Sequence, residues 1–406
     1  MLRRVLALAM AFCMALGSAG AAGMDVRLTI EKSDVLSGGA LRALNGWLEE
    51  ASLFLQSTQE VQEAALLWRN EPLVRAAHTA EGAAVGAGDL AYPVDSLHDD
   101  WQMLPAQALE AAQKLGALLS EYEKEASATA ELGGAVKAKK QLSYALSAEQ
   151  WAEKWPQVCE ILGDRLRGCT IESKGTLRRY FDAAGNEVGA YFYAEKVRIA
   201  ENDVREVRLE YGYQSGKGLY LAFRCPNARE TRNVRISLTA KRTERTDRVN
   251  YAVSCDVRRW HDDKQDTAVL EISLKETEEA LTGKASCSYT QKRGDNKVKY
   301  AFTASPAWTD AGGTVGFTYD LSGENYLTGT VYLSPAAEKQ VENLPANASE
   351  KEVVQALALA LLESLQDIPD EDRLQFLYYL NRPAYLTGDG KAVELQYDPQ
   401  FSVTEE

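Results

Sequence analysis

The sequence predicts an α+β fold: a large curved antiparallel β-sheet, a half-barrel-like meander, with several amphipathic helices packed on one face. Three observations predict it. From Ile171 to Leu333 apolar residues fall on alternate positions with charges or hydroxyls between them, the two-residue period of half-buried strands. The turns between these runs are short, which forces antiparallel neighbours, because a parallel crossover needs about a dozen residues or more. Stretches with a helical apolar period stand before and after the run.

In chain order, Arg3 and Arg4 precede the apolar stretch Val5 to Leu16, and the small residues Gly17 to Gly23 follow. A basic segment, an apolar segment and a small-residue cleavage zone make a secretory signal peptide, residues 1–22. The apolar stretch is shorter than the roughly 20 residues a bilayer span needs. The mature chain is therefore expected to be secreted or extracytoplasmic, in the cell envelope of a bacterium, and not to span the membrane once the leader is removed.

Val26, Leu28 and Ile30 alternate in a first strand, Met24 to Val35. Gly38 to Leu55, with Leu41, Leu44 and Leu48, begins as a helix and ends as a strand. A hairpin is predicted over Ala64 to Thr79, turning at Arg69-Asn70-Glu71-Pro72, and a helix over Leu104 to Glu125. Ala126 to Ala138 is a weak linker candidate and Lys139 to Leu146 a strand. Ser147 stands three residues before Gln150, a capping box that opens a helix carrying Trp151, Trp155, Val158 and Leu162.

Within the long run, Val207, Leu209, Tyr211 and Tyr213 share one face while Arg208 and Glu210 share the other; Val234, Ile236, Leu238 and Ala240 repeat the pattern opposite Arg235, Ser237, Thr239 and Lys241. Runs at Val249 to Val257, Leu270 to Leu274, Val298 to Phe302 and Val315 to Tyr319 continue it. Ser349 and Glu352 then open a second capped helix reaching Leu365; a short helix over Asp370 to Leu380 and a hairpin over Tyr385 to Tyr397 complete the chain. Asn347-Ala348-Ser349 matches a glycosylation sequon and reads as part of the helix cap. The chain divides by sequence into 24–169, strands and helices joining the sheet; 170–335, the β meander; and 336–406, helices and a hairpin. A mature chain of about 380 residues is large for one core, so two lobes sharing a sheet are expected.

The formal charge is -14, and removing Arg3 and Arg4 makes it -16, which disfavours nucleic acid as a partner. The charge is uneven. Thr170 to Tyr300 holds 25 basic against 20 acidic residues, whereas Ala336 to Glu406 holds 5 against 14. Five cysteines remain after cleavage, so at least one thiol is unpaired within a monomer. Cys159 and Cys169, ten residues apart across a helix-to-strand corner, are the candidate disulfide in an exported protein. Cys225, Cys255 and Cys287 lie in or beside strands, separated by intervening strands, and suit the role of small apolar residues.

Catalytic and cofactor motifs are missing from the sequence. His78, His98 and His261 are scattered, and His98-Asp99-Asp100 and His261-Asp262-Asp263 read as solvated turns. Gly-x-Ser-x-Gly, a Gly-Lys-Ser/Thr phosphate loop and Gly-x-Gly-x-x-Gly are all absent. No catalytic residue, metal or cofactor is assigned, and an enzyme is the less favoured expectation.

The segment Gly175 to Tyr193, GTLRRYFDAAGNEVGAYFY, is a hairpin turning near Asp182 to Asn186 of a kind common in exported β proteins. A signal peptide, long antiparallel strands and a few helices able to close one side together resemble, in element order, the lipoprotein-carrier half-barrels of the LolA and LppX type. The resemblance implies a sheet curled around an apolar cavity plugged by helices and loops; it assigns no site residue. The leading functional expectation is a carrier or sensor of an apolar or lipid-like ligand, held on a concave face by Tyr211, Tyr213, Tyr251, Phe302 and Phe317. The alternatives are a structural or protein-interaction component of the cell envelope and, least favoured, a hydrolase whose site the sequence does not reveal.

Overall fold

The computed structural model describes residues 23 to 373 apart from short breaks at 35, 58–61, 80–81, 95–97, 164–165, 201–202, 230, 310, 338–343, 367 and 371. The predicted leader, the hairpin at Tyr385 to Tyr397 and most of the helix at Asp370 to Leu380 lie outside the described residues. The chain begins with β1 (Gly23–Lys32), α1 (Gly38–Glu50), β2 (Ala51–Ser57), β3 (Gln62–Trp68), β4 (Glu71–Thr79), β5 (Gly82–Ala87), β6 (Leu90–Val94) and α2 (His98–Leu118). There follow β7 (Glu123–Leu132), β8 (Val136–Leu146), α3 (Ala148–Leu162), β9 (Thr170–Ile171), β10 (Gly175–Phe181), β11 (Glu187–Ala200), β12 (Asp203–Gln214) and β13 (Gly218–Arg224). The remainder is β14 (Arg232–Glu244), β15 (Val249–His261), β16 (Lys264–Glu276), β17 (Leu281–Arg293), β18 (Asn296–Thr309), β19 (Gly312–Leu321), β20 (Glu324–Ala336) and α4 (Glu350–Ser364). Antiparallel strands dominate, with helices between them, as the alternation predicted.

The chain forms two compact units. Among the described residues, the first joins those of 23–97 to 279–282 and 298–373, and the second holds those of 98–278 with 283–297.

In the first unit the strands run in the order β6-β5-β4-β3-β2-β1-β20-β19-β18, every neighbour antiparallel. The β3–β4 hairpin turns at Arg69 and Asn70, whose φ values of 50° and 66° are the left-handed pair of a two-residue hairpin loop. Helix α1 begins where the Ser37 side chain accepts from the Ala40 amide. It buries Leu44 and Leu48 against Ile30 of β1, with Leu28, Trp47 and Phe317 around them. The Trp47 indole donates to the Ser364 hydroxyl at 3.0 Å, tying α1 to α4. Helix α4 carries the predicted capping box: the Glu352 amide donates to Ser349 Oγ and the Ser349 amide to Glu352 Oε2 at 2.8 Å. Asn347 does a different job from the one its sequence position suggested. Its carboxamide accepts from the Ala91 amide and donates to the Asp89 carbonyl, both at 2.9 Å, and so holds strand β6 to the segment leading into α4.

The Ser349 cap satisfies a helix amide that has no intrahelical partner. Ser349→Ala is expected to lower stability by about 1 kcal/mol. The shift of a urea unfolding midpoint at unchanged slope measures it; an unchanged midpoint would show that α4 adds nothing to the cooperative core.

In the second unit the order is β7-β8-β10-β11-β12-β13-β14-β15-β16, again antiparallel throughout, with the two-residue β9 beside β11. Two expectations fail here. The predicted linker at Ala126 to Ala138 is the body of the β7–β8 hairpin, turning at Gly133 and Gly134 with φ of 57° and 70°. The helix expected over Leu104 to Glu125 starts earlier, at His98, and ends at Leu118; Glu123 to Leu132 is strand. Glu, Lys and Ala are good helix formers, but such preferences are worth less than about 1 kcal/mol per residue, and pairing with β8 overrides them. Three expectations hold. The Ser147–Gln150 capping box of α3 is formed, Lys139 to Leu146 lies within β8, and one strand separates each of the cysteine pairs 225/255 and 255/287.

The β7–β8 tip lies over the sheet, and glycines make room for it. Gly189 and Gly212 are direct cross-strand partners. A Cβ on either would stand 2.9 or 2.8 Å from the Leu132 side chain. Leu132 and Val136 are thereby buried with Tyr180 and Val188.

Candidate functional site

Cross-strand register shows which side chains of the second unit share a face. Leu177 of β10 faces Phe192 of β11, and Phe192 faces Leu209 of β12. The same row continues through Phe223, Ile236, Val257 and Ala268. The next row is Ala190, Tyr211, Leu221, Leu238, Cys255 and Leu270, and the one beyond it Tyr213, Leu219, Ala240, Val253 and Ile272. One face of this sheet is thus apolar from β10 to β16 because each strand keeps the two-residue period in step with its neighbours.

Helices α2 and α3 cover only the first part of it. Leu115, Leu119, Trp151 and Val158 bury Tyr144, Leu146, Leu177 and Ala194, with Phe192 and Val207 at the margin. The Trp151 and Phe192 rings meet edge-on, centroids 5.8 Å apart at 85°. Neither helix packs extensively on β13 to β16. There the apolar side chains are half-buried, and Leu209 at the margin is 37 % exposed.

A buried polar cluster anchors the covered part. The Arg179 guanidinium grips Glu187 through Nε at 2.9 Å and Nη2 at 2.6 Å. Its Nη1 reaches the Tyr144 hydroxyl at 3.4 Å, and that hydroxyl donates to Glu123 at 2.7 Å. The contact with Glu187 outweighs burial and pushes the Arg179 pKa up, while burial, then the bond to Glu123, raises that of Tyr144. Helix α2 closes on this cluster through Gly116, where a Cβ would overlap the Arg179 side chain.

Of the five residues expected to line a ligand site, Tyr211, Tyr213 and Tyr251 stand on this one apolar face. Burial, and secondarily Tyr213, raises the Tyr211 pKa. Tyr251 faces Leu274 and donates to Glu276 at 2.7 Å; that bond, then burial, raises its pKa. Phe302 and Phe317 belong to the first unit, where they stack on each other at 5.9 Å and Phe317 packs against the α1 cluster. Strand β13, with Leu219, Leu221 and Phe223 in these rows, escaped the sequence analysis; their alternation within a seven-residue strand was the available signal.

Past Val207 and Val234 the same strands carry Asp203 and Arg232, which with Arg198, Asn227, Arg229 and Asp262 line an open polar cleft of about 560 Å³. Arg205 grips Asp203 through two 2.8 Å bonds and holds its carboxyl below the usual range, against the opposing effect of burial. Cys159 and Cys169 are not bridged to each other in the structure. Cys159 is sealed in the α3 helix among the described residues of the core, while Cys169 lies in the turn beyond it. Burial raises the thiol pKa of Cys225, Cys255 and Cys287. Among the described residues no three His, Cys, Asp or Glu side chains converge as a metal site, and no helix is long and apolar enough to cross a membrane.

No family model and no curated protein matches the chain. Among solved structures it is similar to OmpTdeltaL8, a loop L8 deletion mutant of OmpT, an outer membrane protein of Vibrio cholerae. Identity is 8 %, coverage is 77 % of this chain and 96 % of that one, and the TM-score is 0.21. So slight a likeness informs neither fold nor function.

Proposed function

We propose that this is an exported, non-catalytic binding protein of the bacterial envelope that takes an apolar or lipid-like ligand on the β12–β16 face. The observation that supports it is the continuation of the apolar rows past the ground covered by α2 and α3. A sheet face buried only for stability would end where its helices end. Here, Leu221, Leu238, Val253, Leu270 and Ile272 carry on in register beyond them. The half-barrel curvature of a lipoprotein carrier belongs to the same proposal, since it would turn these rows inward.

Native mass spectrometry of the mature protein, purified gently from its own host, is the test, followed by solvent extraction and lipid analysis of the bound fraction. The expected result is a mass above the apo value, lost in Leu238→Lys, whose ammonium would sit in the middle of the apolar rows. An apo mass for the wild type would overturn the proposal. So would an equal ligand load in a folded Leu238→Lys variant.

A further inference from the structure

We propose that the opposite face of the same sheet binds a linear acidic polysaccharide along a ladder of arginines. The register sets Arg208 of β12 directly across from Arg224 of β13, Arg224 across from Arg235 of β14, and Arg235 across from Arg258 of β15. Four guanidinium-bearing residues thus form one unbroken row over four adjacent strands. Like charges placed directly opposite destabilise a sheet. A neutral polar residue at any of these positions would pair equally well with its neighbours.

Two ordinary explanations fail. Arginine and lysine guard edge strands against pairing with other chains; β13, β14 and β15 each have a strand on both sides, so they expose no edge. Neutralisation by carboxylates is also incomplete at Arg208 and Arg235. Arg258 is engaged by Asp256 through Nε and Nη2 at 2.8 and 2.7 Å. Arg208 lies between Glu206 and Glu210 on its own strand and makes no ion pair with a described residue. Arg235, exposed, has Asn233 and Ser237 as same-face neighbours and likewise no ion-pair partner among the described residues.

The occupant follows from spacing and from what flanks the row. Rungs on neighbouring strands stand about 4.8 Å apart, close to the advance of one pyranose ring in an extended glycan; because successive rings of such a chain turn their carboxylates to different sides, those on the near side meet alternate guanidinium forks along the row. Aromatic rings share the face. Tyr193 occupies the same row beside Arg208, and Trp260 lies two residues beyond Arg258. Tyr191 is flanked by Arg178 and Arg208 at 5.1 and 5.4 Å from its ring centre. Tyr191 is thus taken up by these contacts and by the Leu132 cluster, whereas Tyr193 and Trp260 offer flat apolar surfaces to the C–H faces of sugars.

The test is isothermal titration of the full mature chain with polygalacturonate at low and moderate salt, with neutral dextran, oligo-dT and vesicles of anionic phospholipid as competing probes. The expected result is salt-sensitive binding of polygalacturonate and none of dextran. R224S/R235S should bind about tenfold more weakly, since two charge-assisted contacts are removed, while R224K/R235K retains part of the affinity. Thermal melts of the variants confirm the fold; should R224S/R235S be unfolded, Arg208→Ser is read in its place. Absence of binding, equal binding by a folded variant, or stronger binding of oligo-dT or vesicles than of polygalacturonate would each overturn the proposal. Because the rows of the apolar face are untouched by these substitutions, lipid loading measured in the same samples reports on the other face independently.

Discussion

Glu187→Ala will destabilise the protein by about 3–5 kcal/mol, the cost of leaving a buried charge without its partner. The expectation rests on burial: the Glu187 side chain is 2 % exposed and that of Arg179 14 %. Arg179 spends two of its donors on Glu187 and a third on Tyr144. Removing the carboxylate strands a cation beneath helix α2, whose Gly116 leaves no space for the guanidinium to swing away from the sheet. Replacing both partners, as in R179M/E187L, is expected to restore most of the loss, because a hydrophobic pair of similar volume avoids the desolvation of both ions. Urea unfolding of the two single variants and the double variant closes a double-mutant cycle. A single-variant loss below about 1 kcal/mol, the range of exposed pairs, would show that water reaches the pair and that α2 does not seal it.

The second large effect is expected at Trp151. Its ring is 2 % exposed, meets Phe192 edge-on, and lies so close to Gly175 that a Cβ there would come within 2.4 Å of the indole nitrogen. Trp151→Ala removes the largest fully buried side chain of α3 and should cost about 3–5 kcal/mol. Gly175→Ala attacks the same contact from the strand and should cost about 1–3 kcal/mol through overpacking. Thermal and urea unfolding measure both. The Trp151→Ala protein should also bind a hydrophobic dye more strongly than wild type, since Tyr144, Leu177 and Phe192 lose their cover. If stability falls while dye binding stays level, the sheet collapses onto the vacated space instead of opening.

What was legible in the sequence was the period. Alternation found most strands of the long run, though not β13 or β17, and the Ser147–Gln150 and Ser349–Glu352 pairs found two helix starts to the residue, because a capping box is a local device with its partners three residues apart. Strand β7 was missed because EKEASATAEL has the composition of a helix and is made a strand by its partner across the turn. The candidate site was legible by halves. Tyr211 and Tyr213 share a face by spacing alone. That Tyr251 joins them, that Phe317 belongs to the α1 packing, and that four arginines line up are facts of register and long-range contact. Register depends on turn lengths and on which strand lies beside which, and neither is written into any single strand.

Strand β1 lies between β2 and β20, and Gly23 is held opposite Ala336, 313 residues later (336 less 23). At about 5–20 residues per second of synthesis, the first unit waits roughly 16–60 s for the strand that completes it. The strands β7 to β16 of the second unit, by contrast, follow one another along the chain and can assemble as they emerge. The first strand made is therefore among the last to be finished on both sides, and until then its free side is an open template for whatever other chain reaches it first.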